Sequence, residues 1–253
     1  MDAVVSAPRV GLRPYLLEAK YEFLRLLRTP SYVLPTLLFP PLFYVLFGVL
    51  LGGGRGGTEA ARYLLASYGV FGIVGSALFG FGVNIAIERE QGLLTYKRAL
   101  PVPPGALLVA KMVMAMAFAS IISLLLAALA FTLAGVRLAP SQWALLWLVN
   151  VLGTLPFCAM GLLIGTVVSG QASPAVVNIV YLPMSFLSGL WLPLTLLPGV
   201  FAQLAPIWPA YHLGQIALKV VGRDDGGSLS VHVLVLAVLT VAFFALARRR
   251  LSA

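Results

Sequence analysis

The sequence predicts an all-α, polytopic membrane protein with six transmembrane helices, an N-terminal interfacial amphipathic helix and an outer re-entrant helical hairpin between spans five and six. Three observations predict it. The 253 residues are 60% apolar and only 10% charged, with a mean hydropathy of +1.00, whereas an average soluble domain is roughly 45–50% apolar and about 25% charged. Uncharged stretches of 26, 25, 25 and 22 residues run from Thr29 to Gly54, Tyr63 to Ile87, Met112 to Val136 and Gly226 to Ala247. Each can hold one span of about 20 residues. The stretch from Leu138 to Leu218 has 81 residues without Asp, Glu, Lys or Arg, enough for two spans and a further apolar segment too broken to be a third.

Residues 12–29 read as a helix lying on the membrane. At 100° per residue, Tyr15, Leu16, Ala19, Phe23, Leu26 and Leu27 share one arc, and Glu18, Glu22, Arg25 and Arg28 lie opposite. Pro30 ends it. The first span is expected from Ser31 to Leu51; Pro35, Pro40 and Pro41 are tolerated inside it because neighbouring helices can satisfy the freed carbonyls. The glycine tract Gly52 to Gly57 reads as a loop. The second span, Tyr63 to Ile87, carries Gly69, Gly72, Gly75, Ser76 and Gly80 at helical spacing, which lets other helices approach closely.

A polar segment from Glu88 to Pro104 precedes the third span, Gly105 to Ala134. After a turn, the fourth span, Trp143 to Val168, places Gly161 and Gly165 in GxxxG spacing, a common motif. The fifth span is expected from Pro174 to Leu192. Residues 193–221 stay apolar, but Pro193, Pro198, Pro206 and Pro209 exclude one straight spanning helix, so two short helices dipping into the outer leaflet are expected. The sixth span, Leu229 to Ala247, ends in Arg248, Arg249 and Arg250.

Counting basic residues sets the orientation. With the N-terminus inside, 12 of the 17 fall in cytoplasmic segments, Lys111 among them, and Arg55, Arg62, Arg137, Lys219 and Arg223 make 5 outside. An excess of Lys and Arg marks the cytoplasmic face, and six spans return the C-terminus to it. The same placement explains the net charge of +9 by membrane lipids rather than by nucleic acid.

Chemistry of its own is scarce. No carboxylate lies between Glu90 and Asp224, where a gradient-driven transporter needs ionisable groups near the midplane. His212 and His232, each taken alone, read as satisfied or surface histidines. Cys158 is the single cysteine, H-E-x-x-H is absent, and the glycines from Gly52 to Gly57 have no lysine after them, so no metal centre, catalytic residue or ATP-hydrolysing loop is expected. The informative cytoplasmic segment is 88–101. Acidic residues at its start and basic ones after a glycine pivot suit a short helix across the membrane face; a solvated loop that only satisfies topology is the plainer alternative.

Glu88-Arg89-Glu90-x-Gly92-x-Leu94, followed by Arg98-Ala99-Leu100-Pro101, resembles the E-R-E-x-G-T-L…P signature of the ABC-2 membrane permease family. Ser188-Gly189-Leu190-Trp191-Leu192-Pro193, then Pro198 and Pro206-Ile207-Trp208-Pro209-Ala210-Tyr211, is similar to that family's S-G-x-x-x-P…P…P-x-x-Y stretch, which forms the outer re-entrant hairpin. Leu93, Thr95 and Lys97 depart from the usual Thr, acidic or polar residue and Leu.

The resemblance covers essentially the whole chain. It implies a cell inner-membrane permease working as a homodimer, or paired with a similar permease. Two ATP-binding cassette ATPase subunits, which bind the ATP and Mg, would dock on the N-terminal helix (Glu22, Arg25) and on segment 88–101. Phe39, Phe43, Tyr44 and Phe47 recur along the first span, with Phe186 and Trp191 on the fifth. These aromatics read as packing or lipid contact, or, in a dimer, as the wall of an apolar passage. An uncharged interior suits amphipathic, drug-like or lipid-linked cargo moving outward. A non-transport assembly or anchoring subunit is the competing reading, and an intramembrane enzyme a more distant one.

Overall fold

The computed structural model describes residues 13–51, 57–94, 96 and 105–252, and the described secondary structure is helical throughout. Arg9, Arg55, Lys97, Arg98 and Pro101 lie outside the described residues.

Helix α1 (Arg13–Leu27) is followed directly by α2 (Pro30–Leu50). Pro35, Pro40 and Pro41 sit inside α2, and its last turns, Tyr44–Leu50, widen to a π-helix, so that the Leu51 N–H donates to the Leu46 carbonyl at 2.9 Å. Prolines remove donors from the α ladder, and a wider turn accommodates the change. Helix α3 (Gly57–Glu90, 34 residues) is the central element and also contains a π-helical turn, Leu78–Val83. Gly57, expected at the end of a loop, is its first residue. Helices α4 (Ala106–Thr132) and α5 (Pro140–Val167, broken at Gly153) follow.

The small residues of α3 serve the close approaches expected of them. A Cβ at Gly72 would lie 2.7 Å from Pro40 of α2 and 2.8 Å from Ile122 of α4, and one at Gly82 would lie 2.9 Å from the Gly161 carbonyl oxygen of α5. Three helices therefore reach the α3 backbone, and α3 is buried over most of its length.

Helix α6 (Ser173–Leu187) stops five residues short of the expected end at Leu192. Gly189 takes φ +76°, a left-handed conformation that glycine adopts without a Cβ clash, and the Leu190 N–H turns back to the Ser185 carbonyl at 3.1 Å. Among the described residues, five helices are long and apolar enough to cross a membrane; α6, at 15 residues, is an apolar helix shorter than these. Between α6 and the last helix lie two short helices, α7 (Gly199–Leu204) and α8 (Pro209–Val220), each led in by a proline. Helix α9 (Leu229–Ser252) packs along the second half of α5 and along α8. Its outer side leaves Val231, Leu234, Val238 and Val241 exposed, as α2 leaves Leu34, Leu38 and Leu42. Such an apolar exterior suits lipid rather than water.

Next to this exterior, the two histidines are buried partners. The His212 Nε2–H donates to the Pro206 carbonyl at 2.9 Å, so with neutral rings His212 Nδ1 accepts from His232 Nδ1–H, also at 2.9 Å. The pair ties α8 to α9. The following loop is anchored by Lys219, which donates to Asp224 at 2.6 Å and holds that carboxyl below the usual range. His212→Leu strands a buried donor on His232 and the Pro206 acceptor together. We expect it to lower stability by about 1–3 kcal/mol, whereas His232→Leu, which strands only one acceptor, lowers it less; thermal melts of the two purified variants make the comparison.

Candidate functional site

At the end of the bundle where α1 meets the last turn of α3, four charged side chains form a closed ring. Lys111 Nζ lies 3.2 Å from Glu22 Oε2 and 2.9 Å from Glu88 Oε1. Arg25 meets the same two oxygen atoms, Nη2 to Glu22 at 2.7 Å and Nη1 to Glu88 at 2.7 Å. Lys111 is 0% exposed, Glu88 2% and Glu22 4%, and Arg25 closes the ring from the solvent side at 42%. Among the described residues two cations face two anions, which offsets the cost of burying them, and Glu88 Oε2 stays buried without a hydrogen-bond partner.

Helical periodicity delivers each member. On α1, Ala19, Glu22 and Leu26 form the buried strip, so Glu22 faces the bundle instead of lying opposite the apolar arc, while Leu16 and Leu27 of that arc are exposed. The reason is the cation waiting on α4. Lys111, Met114, Phe118 and Ile122 are all buried at helical spacing on α4, and Phe23 of α1 packs against Phe118 with ring centroids 5.2 Å apart. Lys111 is thus a core residue of α4, not part of a loop. Its isolation, the one charge between Gly105 and Val136, was the available signal.

Three consecutive residues at the end of α3 point three ways. Glu88 enters the ring. Arg89 reaches α5, donating to the Val168 carbonyl at 2.8 Å and to the Thr166 carbonyl, where a cation meets the unpaired carbonyls of a helix C-terminus. Glu90 remains exposed, its carboxylate lying over Gly170. Gly92, at φ +71°, closes the helix, and Leu94 packs partly buried against the core.

A second feature lies between α2, α3 and α6: a cavity of about 380 Å³ whose lining includes Tyr32, Phe39, Phe43, Phe71, Tyr181 and Trp191. The Tyr32 hydroxyl donates to the Ser76 carbonyl at 3.1 Å and the Tyr181 hydroxyl to the Phe71 carbonyl at 3.0 Å, which fixes both rings. Phe71 stacks on Tyr181 at 5.0 Å and meets Trp191 edge-on at 5.9 Å. Of the six aromatics singled out in the sequence, Phe39, Phe43 and Trp191 line the cavity. Phe186 supports Trp191 from behind at 6.2 Å, Phe47 stands beside Phe43 at the bundle surface, and Tyr44 is fully buried and turned back over Gly48 of its own helix. Tyr32, Phe71, Phe79 and Tyr181, which add to the wall, are spread over three helices, so their meeting depends on how the helices cross.

The turn after α6 is held by α3. The Tyr63 hydroxyl donates to the Gly189 carbonyl at 2.7 Å and the Tyr68 hydroxyl to the Trp191 carbonyl at 3.3 Å. Ser188 and Gly189 are buried there. Pro193, Pro198, Pro206 and Pro209 punctuate the chain up to α8, and the Tyr211 ring packs against His212 and His232.

An apolar helical bundle whose internal charges join helices to one another describes a polytopic membrane protein. The chain belongs to the ABC-2 type transporter family, whose model matches residues 15–221. It is 30% identical over 213 residues to a putative transport permease, YvfS, of Bacillus subtilis (strain 168), an alignment covering 82% of this chain and 84% of that protein. Proteins of this family are transport subunits rather than enzymes, and their membership implies a membrane setting and an ATP-binding cassette ATPase partner.

Proposed function

We propose that this permease is the membrane half of an exporter that carries an amphipathic, drug-like or lipid-linked molecule out of the cytoplasm, driven by separate ATPase subunits. The reading takes α6 as the fifth of six spans and residues 193–221 as a re-entrant hairpin on the outer side. Both termini are then cytoplasmic, and a second permease copy completes the assembly. The ATPases dock on α1 and on segment 88–101. Glu22, Arg25, Glu88, Arg89, Glu90, Gly92, Leu94, Arg98 and Pro101 build or hold that contact.

The observation that carries this reading is the ring joining Glu22 and Arg25 of α1 to Glu88 of α3. Two segments far apart in sequence thereby present one surface at one end of the bundle. The aromatic cavity, with five hydroxyl-bearing residues, Ser31, Tyr32, Thr36, Ser76 and Tyr181, among its mostly apolar walls, suits cargo that is mostly apolar with a polar end.

Purification in mild detergent tests the partner: a soluble nucleotide-hydrolysing subunit should come with the permease. In reconstituted vesicles, ATP hydrolysis by the complex should rise with amphipathic compounds and not with inorganic ions. Uphill transport by the permease alone, without any nucleotidase, would overturn the assignment.

A further inference from the structure

The ring of charges does more than build a surface. We propose that Lys111 is the positioning residue that makes α1, the end of α3 and α4 move as one body, so that force applied by the ATPases enters the membrane through α4. This rests on the reading that ATPases dock at α1 and segment 88–101.

Lys111 is the only member of the ring that belongs to neither docking segment, and it is fully enclosed. Its single ammonium group contacts one carboxylate from each segment, while Arg25 contacts the same two oxygens from outside. Apolar surfaces slide past one another with gradual loss of contact. A buried ion ring does not, because a small displacement leaves charges uncompensated at low dielectric. The arrangement therefore resists intermediate positions. Buried ion pairs are poor sources of net stability against an apolar replacement of equal size; what this one supplies is a fixed relation among three helices.

The route continues along α4. From Lys111 the same face reaches Phe118, whose ring touches Phe23 of α1 and meets the Tyr32 ring of α2 edge-on at 5.2 Å. Tyr32 lines the aromatic cavity and donates to Ser76 of α3. A shift of α4 is thus felt at the cavity wall through the Phe118–Tyr32 ring contact.

Two measurements on the complete permease–ATPase complex in vesicles test this. First, spin labels are placed on the exposed positions Lys20 of α1 and Val113 of α4 by Lys20→Cys and Val113→Cys, with the buried Cys158 removed by Cys158→Ala. The label separation should change by less than about 2 Å between nucleotide-free and ATP-trapped states, the scale of a helix shift. A larger change would show that α1 leaves α4 during the cycle and would overturn the proposal.

Second, Lys111→Met alone leaves two buried carboxylates sharing one arginine and should lower yield and melting temperature. Adding Glu88→Gln removes one anion, leaves the Arg25–Glu22 pair intact and should restore both. Cargo moved per ATP hydrolysed, read on those double-variant complexes that retain the ATPase through purification, should fall at least about tenfold, within the usual range of coupling energies. If transport per ATP returned together with stability, the ring would be merely structural; if the stable double variant lost its ATPase, the ring would build the dock without transmitting through it. Either result sinks the proposal. Absence of any ATPase from the unmodified complex would instead sink the underlying functional reading.

Discussion

Gly161→Val should prevent the permease from accumulating in the membrane as a folded protein. At the crossing of α3 and α5, backbone rests on backbone. A Cβ at Gly82 would stand 2.9 Å from the Gly161 carbonyl oxygen, one at Gly165 would stand 2.7 Å from the Gly82 carbonyl oxygen, and one at Gly161 would stand 3.1 Å from the Gly82 nitrogen. Side-chain rotation cannot relieve such a clash, because the obstructing atoms belong to the helices themselves. Overpacking typically costs about 1–3 kcal/mol even where side chains can adjust, so we expect at least the upper end of that range. The two helices would have to separate, and α9, which packs on the same half of α5, would move with them. Gly105→Ala provides the control. Its Cβ would meet nothing within 4 Å and its φ of −93° suits alanine, so its effect should stay within about 0.5 kcal/mol. Fluorescence-detected size-exclusion chromatography and thermal melts of the two variants separate the outcomes.

This crossing also shows how much the sequence discloses. GxxxG spacing on α5 and the run of small residues on α3 are both visible in one dimension, and both proved to be contact surfaces. Which glycine faces which is a property of the crossing, and no spacing rule supplies it. The long apolar helices were legible for the same reason: lipid imposes a length and an apolar composition on a span, so charged residues marked most limits to within a few positions. Helix α3 is the exception, since it starts six residues before Tyr63 and carries Glu59 and Arg62 inside it. Helix α6 escaped because its stop is conformational. Gly189 adopts a left-handed φ in a segment whose composition stays apolar beyond it, and hydropathy does not register backbone geometry.

The charged ring was half legible. Glu22, Arg25 and Glu88 stood out in segments expected to meet a partner, but their mutual pairing depends on Lys111, whose sequence position near a span end matches an ordinary basic flank. Its isolation within an otherwise uncharged stretch hints at the second role, and burial decides it. Similarly, His212 and His232 are 20 residues apart, and their pairing follows from α8 folding back onto α9.

Glu88→Ala and Glu90→Ala, two changes two residues apart in one motif, should have opposite signatures. Glu88 is 2% exposed and shares its Oε1 between Lys111 and Arg25. Removing it leaves two cations facing the single carboxylate of Glu22. Deleting one partner of a buried ion pair costs about 3–5 kcal/mol, so Glu88→Ala should reduce yield and melting temperature sharply, and any loss of transport will be inseparable from loss of structure. Glu90 is exposed beside the start of segment 88–101, and Glu90→Ala should change stability by no more than about 0.5 kcal/mol. If the carboxylate serves the ATPase contact, transport nevertheless fails in a protein that inserts and melts normally. Melting curves and vesicle transport on both single variants decide the matter: Glu90→Ala transporting like the parent protein would remove this residue from the coupling surface, and Glu88→Ala melting like the parent would mean that the charged ring does not hold α1 to the bundle. The same distinction explains why replacing both glutamates together is the less informative experiment, since one change acts through the fold and the other through the partner.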